Sequence, residues 1–242
     1  MVTAYNADDH ATRHPPILSS PPSCYNARMN EVAVTEIFHS IQGEGTRAGL
    51  PCVLVRLAGC NLRCSWCDTQ YAWEAGSPMT IQAVLDRVAA FGCRMVEVTG
   101  GEPLTQKPTA LLLTRLCDAG YITLLETNGS LDIGGVDQRV VRIVDFKCPS
   151  SGQDAANLWS NVERLTPRDE VKFVLAGRDD YDYAAGVVGR YGLAARCAII
   201  FSPVPGRLSP ADLAGWILAD RLDVRLGLQL HRIIWPGRER GV

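Results

Sequence analysis

Short apolar runs alternate with amphipathic segments along most of this chain, and that alternation constrains the fold more than any other feature. The strand-like runs are rich in β-branched residues and occur from Val32 onward; they are CVLVRLAG, MVEVTG, ITLLET, VRIVDFK, EVKFVLA, AIIFSPV and RLGLQLH. Helix-like segments lie between many of them, such as TIQAVLDRVAAF, in which Thr80 is the expected cap, and SPADLAGWILAD, which starts with Ser209-Pro210. Because parallel strands need crossover connections, the pattern predicts an α/β fold with a mostly parallel sheet.

The number of these units predicts how far the sheet closes. About six strand-helix units are too few for a closed eight-stranded barrel and fit a partial (β/α)6-type barrel. The segments GCNLRCSWCDT, TGGEP, ETNG, KCPSSG and SPV each lie at or just past the end of a strand, and QLH belongs to the last predicted strand. The C-terminal ends of barrel strands face one cavity, so we expect a single active site built from these segments.

The composition predicts one domain with an N-terminal tail. A chain of 242 residues with 47% hydrophobic content can bury one sizeable core, so we expect a single catalytic domain over residues 31–242. Residues 1–30 are rich in Pro, Ser and other polar residues and show no hydrophobic period, which predicts a flexible, disordered tail.

The charge and hydropathy patterns narrow the class of partner. A formal net charge of -2 leaves no broad basic face, which argues against nucleic acid and favours a small-molecule partner. The sequence contains no apolar run of about 18 residues and no basic segment followed by an apolar stretch at its start. We therefore expect a cytoplasmic protein that makes no use of a membrane.

Three of the nine cysteines crowd into one short segment, Cys60-x3-Cys64-x2-Cys67. This spacing suits thiolate ligation of a metal in a reducing compartment better than a disulfide framework. Three thiolates can hold three irons of a cubane cluster and leave the fourth iron open to a ligand. Zinc is the alternative, although a structural zinc site normally has four protein ligands and no second Cys or His pair follows nearby.

The cysteine segment and TGGEP together resemble the radical S-adenosylmethionine (SAM) superfamily. CNLRCSWC is similar to its C-x3-C-x-aromatic-C signature, and TGGEP is similar to its SAM-binding segment. The resemblance implies a 4Fe-4S cluster whose open iron binds SAM and whose electron cleaves SAM to methionine and a 5′-deoxyadenosyl radical. Gly100 and Gly101 would let the backbone approach the ligand closely, and Glu102 could meet the methionine amino group. Without the cysteines, the two glycines would more simply be a tight turn.

Further segments resemble the 7-carboxy-7-deazaguanine synthase family, from about residue 34 to residue 236. They are FHSIQGEGTRAG, CDTQYAW, LETNG, DFKCPSSG and QLHRIIWP. The resemblance implies a radical ring contraction of 6-carboxy-5,6,7,8-tetrahydropterin with loss of ammonia, in which SAM acts catalytically. It also implies magnesium, a homodimer and an external electron donor such as flavodoxin. Residues PGRERGV extend past the last matching segment, so the sequence leaves open whether the C-terminus closes over the substrate.

The same resemblance implies a set of substrate-binding residues: Ile41, Gln42, Glu44, Arg56, Glu126 and His231. An arginine can pair with the substrate carboxylate, and a carboxylate such as Glu126 suits the donor-rich edge of a pterin. The alternatives are an internal salt bridge for Arg56 and a buried structural carboxylate for Glu126. His231 is equally compatible with a core histidine.

The resemblance also implies metal and SAM contacts. Thr69 matches the magnesium ligand of the family and Asp68 would assist it, although an isolated Asp-Thr pair is usually a turn or a helix cap. The residues expected around SAM are Trp66, Gly100, Gly101, Glu102, Lys147, Ser150 and Ser202.

Two other functions are compatible with the cysteine segment. One is a radical SAM activase that installs a glycyl radical on a partner protein, and the other is an iron-sulfur or zinc binding module. SIQGEG, Arg56 and LETNG favour the small substrate, while a binding module leaves TGGEP and the polar strand ends unexplained. The sequence does not indicate whether the deazapurine enters tRNA, DNA or a secondary metabolite.

Overall fold

The computed structural model describes residues 30–74 and 76–242, so the predicted tail lies outside the described residues apart from Asn30. One sheet runs through the described chain in the strand order β3-β1-β2-β4-β5-β6-β7-β8-β9. Its strands are β1 Glu31–Ile41, β2 Pro51–Leu57, β3 Ser77–Thr80, β4 Met95–Gly100, β5 Ile122–Thr127, β6 Val141–Asp145, β7 Glu170–Leu175, β8 Ala198–Pro203 and β9 Arg225–Leu226. The α-helices are α1 Ile81–Ala89, α2 Thr109–Asp118, α3 Arg178–Tyr191, α4 Pro210–Asp220 and α5 Leu230–Ile234.

The parallel part of the sheet confirms the predicted α/β fold. Every neighbouring pair from β2 to β9 is parallel. Thr80 caps α1 by accepting a hydrogen bond from the amide of Ala83 at 3.1 Å, as predicted. Ser209 caps α4 in the same way, with Pro210 in the first helical position. The sequence therefore predicted these two helices and the residue at which each begins.

Two strands at one end of the sheet, β1 and the edge strand β3, were not predicted. β1 pairs antiparallel with β2 on one side and with β3 on the other. The segment FHSIQGEG was read only as a lead-in to the first strand, yet its first residues belong to β1. Most of β1 is only half-buried, with Val32 and Val34 as its core residues, so it lacks the continuous apolar run that marks the central strands.

The prediction of the last strand is largely wrong. Only Arg225–Leu226 of RLGLQLH is a strand, and His231 lies in helix α5. Gly227 allows close approach to β8, because a Cβ there would lie 2.5 Å from Ser202 Oγ and 2.6 Å from Ile200 Cγ2. The chain then turns, and Leu230 N donates to Gly43 O at 3.0 Å, which ties α5 to the loop after β1.

The apolar core lies mostly on the outer face of the sheet, between the strands and the helices. Around β2 and β4 it contains Val55, Val98 and residues of α1 and α2, and around β7 and β8 it contains Phe173 and Phe201. The alternate residues of the same strands point to the opposite face, where polar side chains collect. Within the described residues, no helix is both long enough and apolar enough for a membrane crossing.

Candidate active site

A cavity of about 850 Å³ opens along the inner face of the sheet. Its walls also include the cysteine segment, the loop after β1, helix α5 and the segment after α5. The strand residues that line it include Leu54 and Arg56 of β2, Glu97 and Thr99 of β4, Glu126 of β5, Ile143 and Asp145 of β6, and Lys172 and Val174 of β7. The fold therefore brings residues of several strands to one cavity, as predicted.

The three cysteines of the predicted cluster site all line this cavity. Cys60, Cys64 and Cys67 are half-buried on the loop that follows β2. Gly59 N donates to Ala72 O at 2.7 Å and Cys67 N donates to Cys64 O at 3.2 Å, so backbone hydrogen bonds fold the loop upon itself. The segment after β6 also holds the loop, because Ser65 N donates to Ser151 O at 3.1 Å. The fold therefore brings the three thiols to one wall of the cavity.

This donor set fits an iron-sulfur cluster. Three thiolates can bind three irons of a cubane cluster and leave the fourth iron open to another ligand. Cys60, Cys64 and Cys67 line one cavity together, as such a cluster requires. Asn128 Nδ2 lies 3.9 Å from Cys60 Sγ and supplies a polar neighbour to that sulfur.

Gly100 and Gly101 are required by the protein's own packing. A Cβ at Gly100 would lie 2.1 Å from Leu57 O, and one at Gly101 would lie 2.1 Å from Gly59 O. Gly100 also has a φ of +145°, which side chains with a Cβ rarely adopt. The two glycines thus let the loop after β4 lie against the start of the cysteine loop, and both line the cavity.

Glu102 is fully buried behind the glycines and does not line the cavity. Its carboxylate accepts hydrogen bonds from Thr127 Oγ1 at 2.9 and 3.0 Å, from Asn128 N at 2.6 Å and from Leu104 N at 2.9 Å. Burial raises the pKa of Glu102, and these donors oppose that effect. The residue ties the glycine loop to the end of β5, and its contact with SAM stays a prediction.

The remaining predicted SAM contacts divide into two groups. Trp66 and Lys147 line the cavity beside the cysteines. Ser150 is exposed outside the cavity lining, and its amide donates to Asp180 Oδ1 at 3.0 Å. Ser202 is buried on β8 and is also absent from the lining. The positions of the two serines give no support to a SAM contact, which stays a prediction for both.

Arg56 has an internal partner as well as a place in the cavity wall. Its Nε donates to Glu36 Oε1 at 2.8 Å, and Tyr71 Oη donates to the same oxygen at 2.9 Å. Burial would lower the pKa of Arg56, but Tyr71 and Glu36 outweigh it and raise that pKa. The internal salt bridge that the sequence left open for Arg56 is therefore present, with Glu36 as the partner. It keeps the guanidinium charged and fixes its position at the cavity.

Lys172 is the centre of a charged cluster that was not predicted. Its Nζ contacts Glu126 Oε1 in a short ion pair, lies 2.9 Å from Glu44 Oε2 and lies 3.7 Å from Asp145 Oδ2. Burial would lower the pKa of Lys172, but these three carboxylates raise it well above its usual value. In turn, burial would raise the pKa of Glu126, and the charge of Lys172 lowers it instead. Lys172 and Glu126 are consequently both ionised.

Two acceptor atoms near this cluster have no partner among the described residues. Asp145 Oδ2 accepts from Lys147 Nζ at 2.8 Å, while Asp145 Oδ1 is buried and unpartnered. Gln229 Nε2 donates to Glu44 Oε1 at 2.9 Å, while Gln229 Oε1 is also buried and unpartnered. Buried acceptors without donors are costly, so the cavity is suited to a ligand that carries several N–H or O–H groups.

The loop after β1 brings Gln42 and Glu44 to the floor of the cavity, next to Ile41. Gln42 Nε2 donates to Glu97 Oε2, and Gln42 Oε1 accepts from Glu44 N at 3.1 Å. Glu170 holds the next turn of the loop, since it accepts from Thr46 N at 2.9 Å. The three predicted residues Ile41, Gln42 and Glu44 are therefore collected at one place in the cavity.

Thr69 and Asp68 also line the cavity. Thr69 Oγ1 donates to Asp68 Oδ1 at 2.9 Å, and Arg232 Nη2 lies 3.5 Å from Asp68 Oδ2. Burial would raise the pKa of Asp68, but Thr69, Lys172 and Arg232 lower it, so the carboxylate is ionised. A hydroxyl next to an anionic carboxylate is a suitable pair of oxygens for a hard cation.

Helix α5 and the segment after it form the remaining wall. Burial lowers the pKa of His231, so this cavity-lining histidine is neutral at pH 7. Residues 235–239 and Val242 line the same cavity. Tyr71 Oη, which donates to Glu36, also lies 3.2 Å from Glu239 O, so this segment contacts the residues that follow the cysteine loop.

Among the cavity residues that sequence reasoning missed are Thr99 of β4, Gln229 before α5, and the three charged residues Glu97, Asp145 and Lys172. The charged residues do carry a sequence signal. Each lies inside or at the end of an apolar, β-branched run, namely MVEVTG, VRIVDFK and EVKFVLA. A charge within such a strand needs a partner or a polar cavity, so these positions indicate the inner face of the barrel.

Comparison with known proteins agrees with the geometry. Residues 54–147 match the radical SAM superfamily. The 7-carboxy-7-deazaguanine synthase of Chlorobaculum tepidum is 49% identical over 212 residues, which cover 86% of this chain and 96% of that protein. The 7-carboxy-7-deazaguanine synthase of Koribacter versatilis is 42% identical over 226 residues, which cover 86% of this chain and 99% of that protein.

A solved structure supports the fold independently. The crystal structure of QueE from Escherichia coli superimposes with a TM-score of 0.69 and 22% sequence identity, over 86% of this chain and 99% of that one. At 22% identity this likeness shows the fold alone. The family is shown by the two sequence relatives, because each match spans nearly the whole length of the relative. The chain therefore belongs to the 7-carboxy-7-deazaguanine synthase family of the radical SAM superfamily.

Proposed function

We propose that this protein converts 6-carboxy-5,6,7,8-tetrahydropterin to 7-carboxy-7-deazaguanine with loss of ammonia, as a carbon-nitrogen lyase of 7-deazapurine biosynthesis. One observation carries the proposal: three cysteine thiols and a cluster of paired charges share a single cavity of about 850 Å³. The volume suits a SAM molecule next to a bicyclic substrate. A protein-modifying activase gains no comparable support from any contact in this cavity.

Cys60, Cys64 and Cys67 would hold the 4Fe-4S cluster, and the neighbouring backbone of Gly100 and Gly101 would border SAM. When bound, the reduced cluster and SAM supply a 5′-deoxyadenosyl radical that removes a hydrogen atom from the substrate. Lys147 lies beside the cysteines with its charge maintained, because Asp145 and Cys64 outweigh the effect of burial on its pKa. Lys147 can therefore offer a cation to the SAM carboxylate.

The charged residues of the cavity match the two ends of the pterin. Arg56 is fixed by Glu36 through Nε, and within the described residues its two terminal amino groups have no hydrogen-bond acceptor. Those groups can bind the substrate carboxylate in a charge-assisted pair. Glu126 is held ionised by Lys172 and can accept the paired N–H groups of the aminopyrimidinone edge. Neutral His231, Gln42 and Glu44 complete the substrate contacts.

Magnesium is a further part of the proposal. Thr69 and ionised Asp68 would provide oxygen ligands beside the substrate carboxylate, where a cation can orient that group and balance its charge. The protein would act in the cytoplasm as a homodimer and take electrons from an external donor such as flavodoxin. Its family membership supports this location, this oligomeric state and this source of electrons.

The decisive experiment incubates anaerobically reconstituted, reduced protein with SAM, magnesium and the tetrahydropterin, and detects 7-carboxy-7-deazaguanine by mass spectrometry. Product should greatly exceed the SAM consumed, because the radical is regenerated in each turnover. Alanine at Cys60, Cys64 and Cys67 should remove both iron and product. Chelator treatment should slow the wild type more than Thr69→Ala. SAM cleavage without any deazapurine would reject the pterin as substrate.

A further inference from the structure

Glu97 is a buried carboxyl group that faces the cavity and that none of the roles above uses. It lies in the middle of β4, between Val96 and Val98, and its side chain is 3% exposed. The two valines pack into the outer core, so alternation along the strand turns Glu97 towards the cavity. A carboxyl group at such a position needs partners, and the cavity must supply them.

The described structure gives Glu97 one hydrogen-bond partner, the side-chain amide of Gln42. Gln42 Nε2 donates to Glu97 Oε2, and Gln42 Oε1 accepts from Glu44 N at 3.1 Å. These two hydrogen bonds fix the orientation of the Gln42 side-chain amide. Within the part of the chain that the structure describes, nothing is hydrogen-bonded to the other oxygen of Glu97. That oxygen remains for a ligand in the cavity.

The groups around Glu97 keep it protonated near neutral pH. Burial and the charge of Glu126 on β5 raise the pKa of Glu97 to about 8; Glu44 acts in the same direction, while Lys172 on β7 and Arg56 on β2 oppose them. Cys52 on β2 also faces it, as a thiol whose pKa is raised by burial and by Glu97. Lys172 already balances three other carboxylates, so it offsets only part of a fourth negative charge at Glu97.

We propose that Glu97 is a further specificity-determining residue, whose carboxyl group donates a hydrogen bond to the C4 carbonyl of the pterin. The inference rests on the proposed function. The recognition edge of a pterin presents the 2-amino group, N3–H and the C4 carbonyl in sequence, that is, two donors followed by an acceptor. Glu126 accepts from the donors, and the carbonyl needs a donor next to it. Glu97 lies on β4, next to β5, and pairs in register with Leu124. Leu124 is two residues before Glu126, so Glu97 and Glu126 lie on the same face of the sheet.

The test compares Glu97→Gln and Glu97→Leu with the wild type across about pH 6.5 to about pH 9.5, in the reconstituted holoenzyme. Glutamine keeps one donor and one acceptor without titrating, so it should keep most of the efficiency at pH 7. The wild type should lose kcat/KM as the pH rises through the pKa of Glu97, and Glu97→Gln should not show that loss. Glu97→Leu should lose about 5- to 150-fold, mainly through KM, because a buried hydrogen bond is missing.

Asp169→Asn is the matched control, since Asp169 is equally buried and lies outside the cavity lining. It should leave the alkaline limb of the profile unchanged. Equal losses in Glu97→Gln and Glu97→Leu at pH 7, or an alkaline limb shared by wild type and Glu97→Gln, would overturn the role of Glu97. If Glu97→Leu fails to fold, the Glu97→Gln profile decides by itself. Absence of deazapurine with the wild type would instead reject the proposed function.

Discussion

Two buried ion-pair sites on neighbouring strands of this sheet differ in how completely they are satisfied. Arg142 of β6 and Asp169 before β7 form a two-pronged pair, with Nε to Oδ1 at 3.0 Å and Nη2 to Oδ2 at 2.5 Å. Arg142 also donates to Arg164 O at 2.8 Å, and Asp169 accepts from Thr166 N at 2.7 Å. This site has donors for both carboxylate oxygens and lies outside the cavity.

The Lys172 site is crowded and incomplete by comparison. One ammonium group faces three carboxylates, those of Glu44, Glu126 and Asp145. Asp145 Oδ1 has no partner among the described residues. A structural pair lowers its free energy by saturating its hydrogen bonds, whereas a binding site must leave acceptors for the ligand. The comparison therefore separates a saturated, structural pair from a cluster to which the proposed function assigns ligand binding.

The largest expected effect is on stability, at the saturated pair. Arg142→Met should lower the free energy of unfolding by about 3 to 5 kcal/mol, because it leaves the carboxylate of Asp169 buried without its cation. The kcat/KM of the folded protein should stay close to that of the wild type. Anaerobic denaturant titration and steady-state kinetics measure the two quantities.

Arg142→Lys is the matched control for this change. Lysine keeps the charge and loses the planar two-pronged geometry, so its stability should fall between those of the wild type and Arg142→Met. A large loss of kcat/KM in folded Arg142→Met would contradict the distinction between the two sites, because it would show that the Arg142–Asp169 pair also affects the active site.

The next effect is on activity, at the Lys172 cluster. Lys172→Met should lower kcat/KM by about 30- to 5000-fold, which corresponds to the 2 to 5 kcal/mol typical of losing one partner of a buried charge pair. Its stability loss should be smaller than that of Arg142→Met, because the carboxylates at the cavity can take up protons. Product formation and unfolding curves on the same preparation provide the measurement. An active but strongly destabilised Lys172→Met would reverse the assignment of the two sites.

The smallest expected effect is on stability at acidic pH. Burial would raise the pKa of Asp169, but its hydrogen bonds to Arg142 and Thr166 hold it below the usual 3.8. A lowered folded-state pKa stabilises the protein above pH 3.8 and the benefit disappears as the pH falls through the folded value. The stability gap between wild type and Asp169→Asn should therefore narrow below about pH 4 in thermal unfolding. A gap that stays constant into strong acid would mean that Asp169 is not ionised in the fold.

Sequence reasoning was most successful where the signal lies within one short segment. The cysteine segment, the glycine pair and the caps at Thr80 and Ser209 are all local patterns, and the structure places the cysteines and glycines at one cavity. It was least successful at RLGLQLH, where an apolar run suggested a strand. Gly227 and the hydrogen bond from Leu230 to the loop after β1 turn that run into helix α5 instead, and such contacts have no local signature.

The sequence by itself determined the mostly parallel α/β fold and the loop that carries the three thiols, because spacing and hydrophobic period are properties of neighbouring residues. Its motifs also carried the resemblance to the family. Only the tertiary structure decided which charges meet. Lys172 is 46 residues from Glu126 and 128 from Glu44, and Gln42 is 55 residues from Glu97. These pairs form because strand order and register bring distant side chains to one face, and their ionisation follows from burial that exists only in the folded chain.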